Sequence, residues 1–207
     1  MVSNRSGSRA ATSDSELVCE AQAGSLSSFE ELVSRYERGI FGFLVRRYGN
    51  VADATDLTQS TFVKAFRCLH QQRSGSSFKS WLFTIARNLA ISHYRSVRET
   101  TYEVPDFVSD GMDPSMVLDR RETTETVWSV ARALLPEAQF SALWLRYGED
   151  MSLREIGSAM RRTEGHVKVL LHRGRARLAR RFRGMNMNTG GAALDRIEEA
   201  HDAVCRT

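Results

Sequence analysis

The stretch Ser152–Leu178, SLREIGSAMRRTEGHVKVLLHRGRARL, constrains the fold of this chain more than any other. Ser152 with Glu155 three residues on is a capping-box pattern, which predicts a helix starting at Leu153. Leu153, Ile156, Ala159 and Met160 then form one apolar stripe. Thr163 is placed to cap a second helix, along which Val167, Leu170, Leu171 and Leu178 recur at helical spacing. Two short helices joined by a tight turn, the second studded with cations, are the device that sets a helix into the major groove of DNA. From Ser152 to Arg183 there are ten Lys/Arg against two acids, Glu155 and Glu164. That imbalance suits a partner carrying phosphates. A basic run alone is more often a solvated helix face. Here caps, turn and charge coincide, and the reading favours DNA binding.

Composition narrows the remainder. The 207 residues suffice for one large or two small domains with cores. Net charge is +4, and its excess is localised rather than spread. Three prolines and long helical periodicities predict an all-α protein. No apolar run approaches the ~18 residues of a membrane span, and no signal-peptide core follows the N-terminus. Cys19, Cys68 and Cys205 form no CxxC pair or zinc spacing, so a reduced, cytoplasmic protein without a cofactor is expected. His70, His93, His166, His172 and His201 fall on separate elements and are read as surface histidines. No nucleophile motif or phosphate-binding glycine loop is present, which argues against an enzyme.

Along the chain, residues 1–15 are rich in Ser, Ala and Arg and are expected to be disordered. Ser28 and Glu31 read as a capping box opening a helix to about Tyr48. A second helix is predicted from about Ala52 to Leu69, burying Ala54, Leu57, Thr61, Phe62, Ala65 and Phe66. Gln71–Ser77 reads as a polar loop. A third helix follows, from about Phe78 to Val97, with Trp81, Leu82, Ile85, Ala86 and Leu89 inward and Phe83 off that stripe. The first domain is thus expected over 16–99, and a flexible, acid-rich linker over 100–115. The second domain is expected over 116–183, with Pro136 in the first turn of a helix running to about Tyr147. Residues 184–207 form a C-terminal extension with one short amphipathic segment.

Two further segments carry a resemblance. Asp53–Arg67, DATDLTQSTFVKAFR, resembles the polymerase-docking helix of bacterial RNA polymerase sigma factors, and Phe78–Arg95, FKSWLFTIARNLAISHYR, resembles the helix that follows it there. With the helix-turn-helix, their order is similar to the extracytoplasmic-function group of the sigma-70 family. The resemblance covers about residues 17–98 and 116–183. It implies two helical domains, core RNA polymerase and promoter DNA as partners, an anti-sigma factor as a further partner, and no membrane insertion.

The resemblance also implies roles for residues. Asp53, Asp56 and Gln59 lie on a polar helix face, with Ser60, that would meet the basic clamp of the polymerase. Acids in a first turn also suit the helix dipole without any partner. Thr55 and Ser60 stand where relatives often carry acids. The loop and third helix offer Arg73, Lys79, Arg87, Asn88, His93 and Arg95 to the opened −10 element, where a displaced base needs edge contacts near cations. Asn88 matches the helix position that helps recognise the flipped base, and its amide donates and accepts at once. In the second domain, Arg162, His166, Lys168, His172, Arg173 and Arg175 are the expected −35 contacts, with Arg177, Arg180 and Arg181 extending the phosphate footprint. Val167 and Leu171 are expected in the core, and Leu170 is expected on the groove side, where it could touch a thymine methyl. Arg161 and Arg162 replace a turn glycine and an apolar neighbour usual in the family, so the turn is expected to carry some φ > 0 strain. A self-standing helix-turn-helix regulator is the competing reading; it has no need of Asp53–Arg67 and Phe78–Arg95.

Overall fold

The computed structural model describes residues 12–72, 76–100 and 121–184, with side chains not described at 98–100 and 121–126. All regular structure among them is helical. The elements are α1 (Asp14–Gln22), α2 (Leu26–Tyr48), α3 (Val51–Arg67), a 3-10 turn (Leu69–Gln71), α4 (Phe78–Thr100), α5 (Arg121–Leu134), α6 (Glu137–Tyr147), α7 (Leu153–Met160) and α8 (Glu164–Gly184). The expected linker beyond Thr100, the segment 116–120, Arg73 and the extension after Gly184 lie outside the described residues.

Local chemistry sets most helix ends. Ser13 and Glu16 form a reciprocal capping box that starts α1 inside the segment expected to be a disordered tail. Ser25, not Ser28, caps α2 by accepting the Ser28 N–H. Ser28 is instead buried, and its hydroxyl donates to Glu20 across the α1–α2 corner. Gly49, at φ +82°, ends α2, and Asn50 caps α3 through the Asp53 N–H at 3.1 Å. Pro136 stands at the N-cap of α6, one residue earlier than expected.

In the first domain α2, α3 and α4 enclose Leu32, Ile40, Leu44, Ala54, Ala65, Leu82 and Ala86, all fully buried. The side chain of Gln22 ties the 3-10 turn to α1 by donating to the carbonyls of Leu69 and Gln72 at 2.8 and 3.0 Å. In the second domain α6, α7 and α8 close around Phe140, Leu143, Ile156, Val167 and Leu178. A Cβ at Gly174 would meet Leu143 at 2.9 Å, so a glycine there lets α8 seat on α6.

The two cores are continuous. Phe43 packs on Phe83 within the first domain (centroids 5.9 Å) and on Phe140 of the second (6.5 Å). Phe83, off the apolar stripe of α4, is only 2% exposed. Its burial settles the open position in the sequence: it is core, not a stacking platform.

Candidate nucleic-acid and polymerase interface

Three surfaces carry the residues picked out from sequence. The first is the outer side of α3. Leu57, Thr58, Thr61, Phe62 and Ala65 point inward, so Asp56, Gln59, Ser60 and Val63 share the exposed side. Asp53 does not belong to that open face. Its carboxylate accepts the Tyr94 phenol at 3.2 Å and lies 3.7 Å from His93 Nε2 on α4. Burial, and then the neighbouring Asp53 charge, holds the Tyr94 phenol above its ordinary pKa. Tyr94 in turn stacks flat on Tyr48 at 3.9 Å. Asp53 therefore ties α3 to α4, a structural task the resemblance did not suggest.

Phe66, expected in the core, is 51% exposed, as is Val63. Phe66 keeps one edge contact, with Phe29 at 5.0 Å. The outer side of α3 thus grades from polar at Asp56 to apolar at Val63 and Phe66. Sequence reasoning missed both, although Val63 lies seven residues, two turns, after Asp56.

The second surface is α4, where the expected −10 residues separate onto two sides. Asn88, Ser92 and Arg95 lie on the exposed side. Lys79, Phe83 and Arg87, spaced by four, face the second domain. Arg87 donates from Nε and Nη2 to the two carboxylate oxygens of Glu137, each at 2.7 Å. Glu137 also accepts the Ser141 hydroxyl at 2.7 Å. Lys79 pairs with Glu149 at 3.2 Å and donates to its carbonyl. Thr84 donates to the Ala159 carbonyl at 3.1 Å.

The same boundary continues along α2. Arg47 donates to the Arg132 carbonyl at 3.2 Å and lies over the Phe140 ring, and its burial lowers its pKa. Arg46 lies over Trp144. Gly39 and Gly42 give the close approach: a Cβ at Gly39 would stand 3.0 Å from the Glu149 carboxylate. Sequence had no local signal for these pairs, because each joins residues at least 50 positions apart.

The third surface is the helix-turn-helix. Ser152 and Glu155 make both bonds of the capping box, and His166 N–H donates to Thr163 Oγ1 at 3.3 Å. Arg161 takes φ +53°, the left-handed conformation expected from the missing glycine. The turn stays close to α7 because Gly157 leaves room: a Cβ there would sit 2.8 Å from the Arg162 carbonyl. Arg162, His166, Lys168, His172 and Arg173 are exposed, and Arg175 is half-buried on the flank. Leu170 departs from expectation. It is 9% exposed and belongs with Val167 and Leu171 in the core, while Val169 is 45% exposed on the outer side. The register of the groove side is therefore one residue away from the one expected at Leu170.

No group of three or more His, Cys, Asp or Glu among the described residues is placed to hold a metal ion. None of the described helices is long and apolar enough to cross a membrane.

Residues 32–100 match the pattern of sigma-70 region 2, and residues 132–178 that of sigma-70 region 4. The chain is 34% identical over 180 residues to the ECF RNA polymerase sigma factor BldN of Streptomyces coelicolor, covering 83% of this chain and 68% of that protein. It is 33% identical over 174 residues to the RNA polymerase sigma-H factor of Pseudomonas aeruginosa, covering 78% and 90%. Its fold is similar to the sigma factor RpoE solved in complex with the anti-sigma factor NepR from Bartonella quintana. The TM-score is 0.61 at 23% identity, over 74% of this chain and 95% of that one.

Proposed function

The chain belongs to the sigma-70 family of RNA polymerase sigma factors, of the extracytoplasmic-function type, and directs promoter-specific transcription initiation; from this premise we propose how its surfaces divide that work. Core RNA polymerase docks on the outer side of α3, through Asp56, Gln59 and Ser60 with Val63 and Phe66 as the apolar part of the contact. Asp53 supports that face from behind by fixing α3 to α4. The second domain reads the −35 element with α8, using Arg162, His166, Lys168, His172, Arg173 and Arg175. The first domain reads and holds the opened −10 element with Asn88, Arg87, Lys79, Arg95 and the loop residue Arg73. The factor works in the cytoplasm without a cofactor or catalytic chemistry of its own, and an anti-sigma factor restrains it.

The observation that carries this reading is the placement of unlike surfaces on separate domains. A polar-to-apolar side of α3 and a cationic side of α8 both face solvent, while half of the α4 set is held between the domains. A regulator that acts by binding DNA alone has no use for the first of these.

The arrangement also sets an order of events. Elements centred near −35 and −10 are about 25 base pairs apart, or about 85 Å at 3.4 Å per base pair. Domains packed on one continuous core do not reach that far apart, whereas the 20 residues between α4 and α5, about 70 Å when extended, cover it together with the breadth of the two domains. Reading both elements therefore requires the domains to part, which exposes Arg87 and Lys79. Run-off transcription with core polymerase on a promoter library tests the proposal. Transcripts should start only downstream of paired elements, and α3 variants should lose all of them. Duplex binding with no transcripts would overturn the polymerase role.

A further inference from the structure

The side of α8 that faces solvent is a ridge between two cationic rails. At ~100° per residue, the buried Val167, Leu170, Leu171, Gly174 and Leu178 centre on one line of the helix. Diametrically opposite lie Gly165, Val169, His172 and Ala176. His166 and Arg173, seven residues apart, run along one flank of that ridge, and Lys168 with Arg175 along the other. A helix entering the major groove presents its ridge to base edges and its flanks to the phosphates on either side. The rails are thus suited to position α8, and the ridge to read.

Over Gly165–Ala176, the part of α8 that begins at its N-terminus, the ridge lacks every residue that makes a two-point base contact. It has no arginine or lysine for guanine and no asparagine or glutamine for adenine. Gly165 and Ala176 bring little beyond close approach. His172 offers one donor or acceptor. Val169, nearly half exposed within the first two turns, is the one sizeable apolar group there. The only apolar feature on a base edge in the major groove is the C5-methyl of thymine.

We infer that Val169 is the specificity-determining contact of α8, recognising a thymine methyl and so selecting an A·T pair at one position of the −35 element. The inference rests on α8 being the groove helix. It replaces the contact expected at Leu170, whose side chain is in the core.

The test uses the full chain with core RNA polymerase. Templates with a randomised −35 region are selected by run-off transcription, and each thymine of the winning sequence is then replaced by uracil, which lacks only that methyl. The wild-type factor should lose about fourfold in transcription at one thymine, roughly the effect of one buried methyl group. Val169→Ala should start about fourfold lower on the thymine template and show no further loss with uracil there. Val169→Arg, at the same exposed position, should move the selected pair from A·T to G·C. Thermal unfolding of each variant, read beside competition for core polymerase, reports whether the second domain is folded. If no uracil substitution affects the wild type, or if Val169→Ala responds to uracil as the wild type does, the inference is overturned. A wild-type factor that selects no −35 sequence at all would instead sink the assignment of α8, a separately visible failure.

Discussion

Arg87 and Glu137 meet across the domain boundary as a two-point ion pair, with both nitrogen–oxygen distances 2.7 Å. Their side chains retain about a fifth to a quarter of their exposure. Paired forks of this kind are the stronger class of charged contact, because geometry fixes both bonds at once. The guanidinium proposed to serve promoter DNA is thus neutralised by the protein's own carboxylate. Phosphate or base contacts at Arg87 must compete with Glu137.

That competition gives the first prediction. Glu137→Gln removes the charge and should shift the chain toward the parted state by roughly 1–2 kcal/mol, a factor of about 5–30. The free factor should then bind a single-stranded −10 oligonucleotide correspondingly tighter, because apparent affinity scales with the competent fraction. Fluorescence anisotropy at fixed salt measures this. Equal affinities for the variant and wild type would mean that Glu137 does not restrain Arg87.

The side of α3 proposed to dock on core polymerase separates two acids that looked equivalent in sequence. Asp56→Lys places a cation on the exposed side and should abolish competition for core polymerase, since like charges across an interface cost several kcal/mol. Asp53→Ala should behave differently. It removes the acceptor of the Tyr94 phenol and should lower stability by about 1 kcal/mol, while docking weakens only through that loss. Thermal unfolding and a polymerase competition assay, run on both variants, distinguish the two roles. Loss of docking by Asp53→Ala at unchanged stability would return Asp53 to the contact face.

Much of this architecture was legible because its signals are local. Ser152 with Glu155, Thr163 before α8 and Gly49 after α2 act within a few residues of the helix ends they set. The Ser13–Glu16 box obeys the same chemistry and went unread only because a Ser- and Ala-rich tail surrounds it. Periodicity fared worse wherever two apolar neighbours flank one stripe. Phe66 lies beside the core position Ala65, and packing from other helices leaves it exposed; Leu170 is buried as its helical spacing with Val167 and Leu171 has it, against the groove-side place expected from the resemblance. The pairing of Arg87 with Glu137 lay beyond any pattern in the chain. It depends on how two separately readable domains sit together, which caps and stripes do not encode.

Acid should loosen the helix-turn-helix through Glu155. Burial raises its pKa, but bonds from the Ser152 N–H and hydroxyl, a bond to Ser77, and the Lys79 charge outweigh that and hold it below the ordinary value. A carboxylate with a depressed folded-state pKa contributes stability above its unfolded pKa of about 4.3, and loses it as pH falls through the folded value. Wild type should therefore be more stable than Glu155→Gln at neutral pH, with the gap closing below about pH 4. Melting temperatures of both proteins between neutral and acid pH check this. A gap that stays constant would exclude the capping carboxylate as its source.

The last prediction contrasts neighbours on α8. Leu170 is buried beside Leu171, so Leu170→Ala should destabilise the protein by about 2–5 kcal/mol, through lost burial and the cavity left behind. Its effect on DNA should follow from unfolding alone and show no change in the preferred sequence. Lys168 is exposed on one of the two rails proposed to meet phosphates rather than base edges. Lys168→Ala should leave stability within about 0.5 kcal/mol of wild type. It should weaken binding to all −35 sequences alike, and make the slope of log affinity against log salt shallower by about 1, the signature of one lost phosphate contact. Titrating duplexes of several −35 sequences at three salt concentrations, beside thermal melts, measures both effects. A Lys168→Ala factor that changes its preferred sequence at unchanged salt slope would put Lys168 on the ridge. The rails and the reading line of α8 would then have to be redrawn.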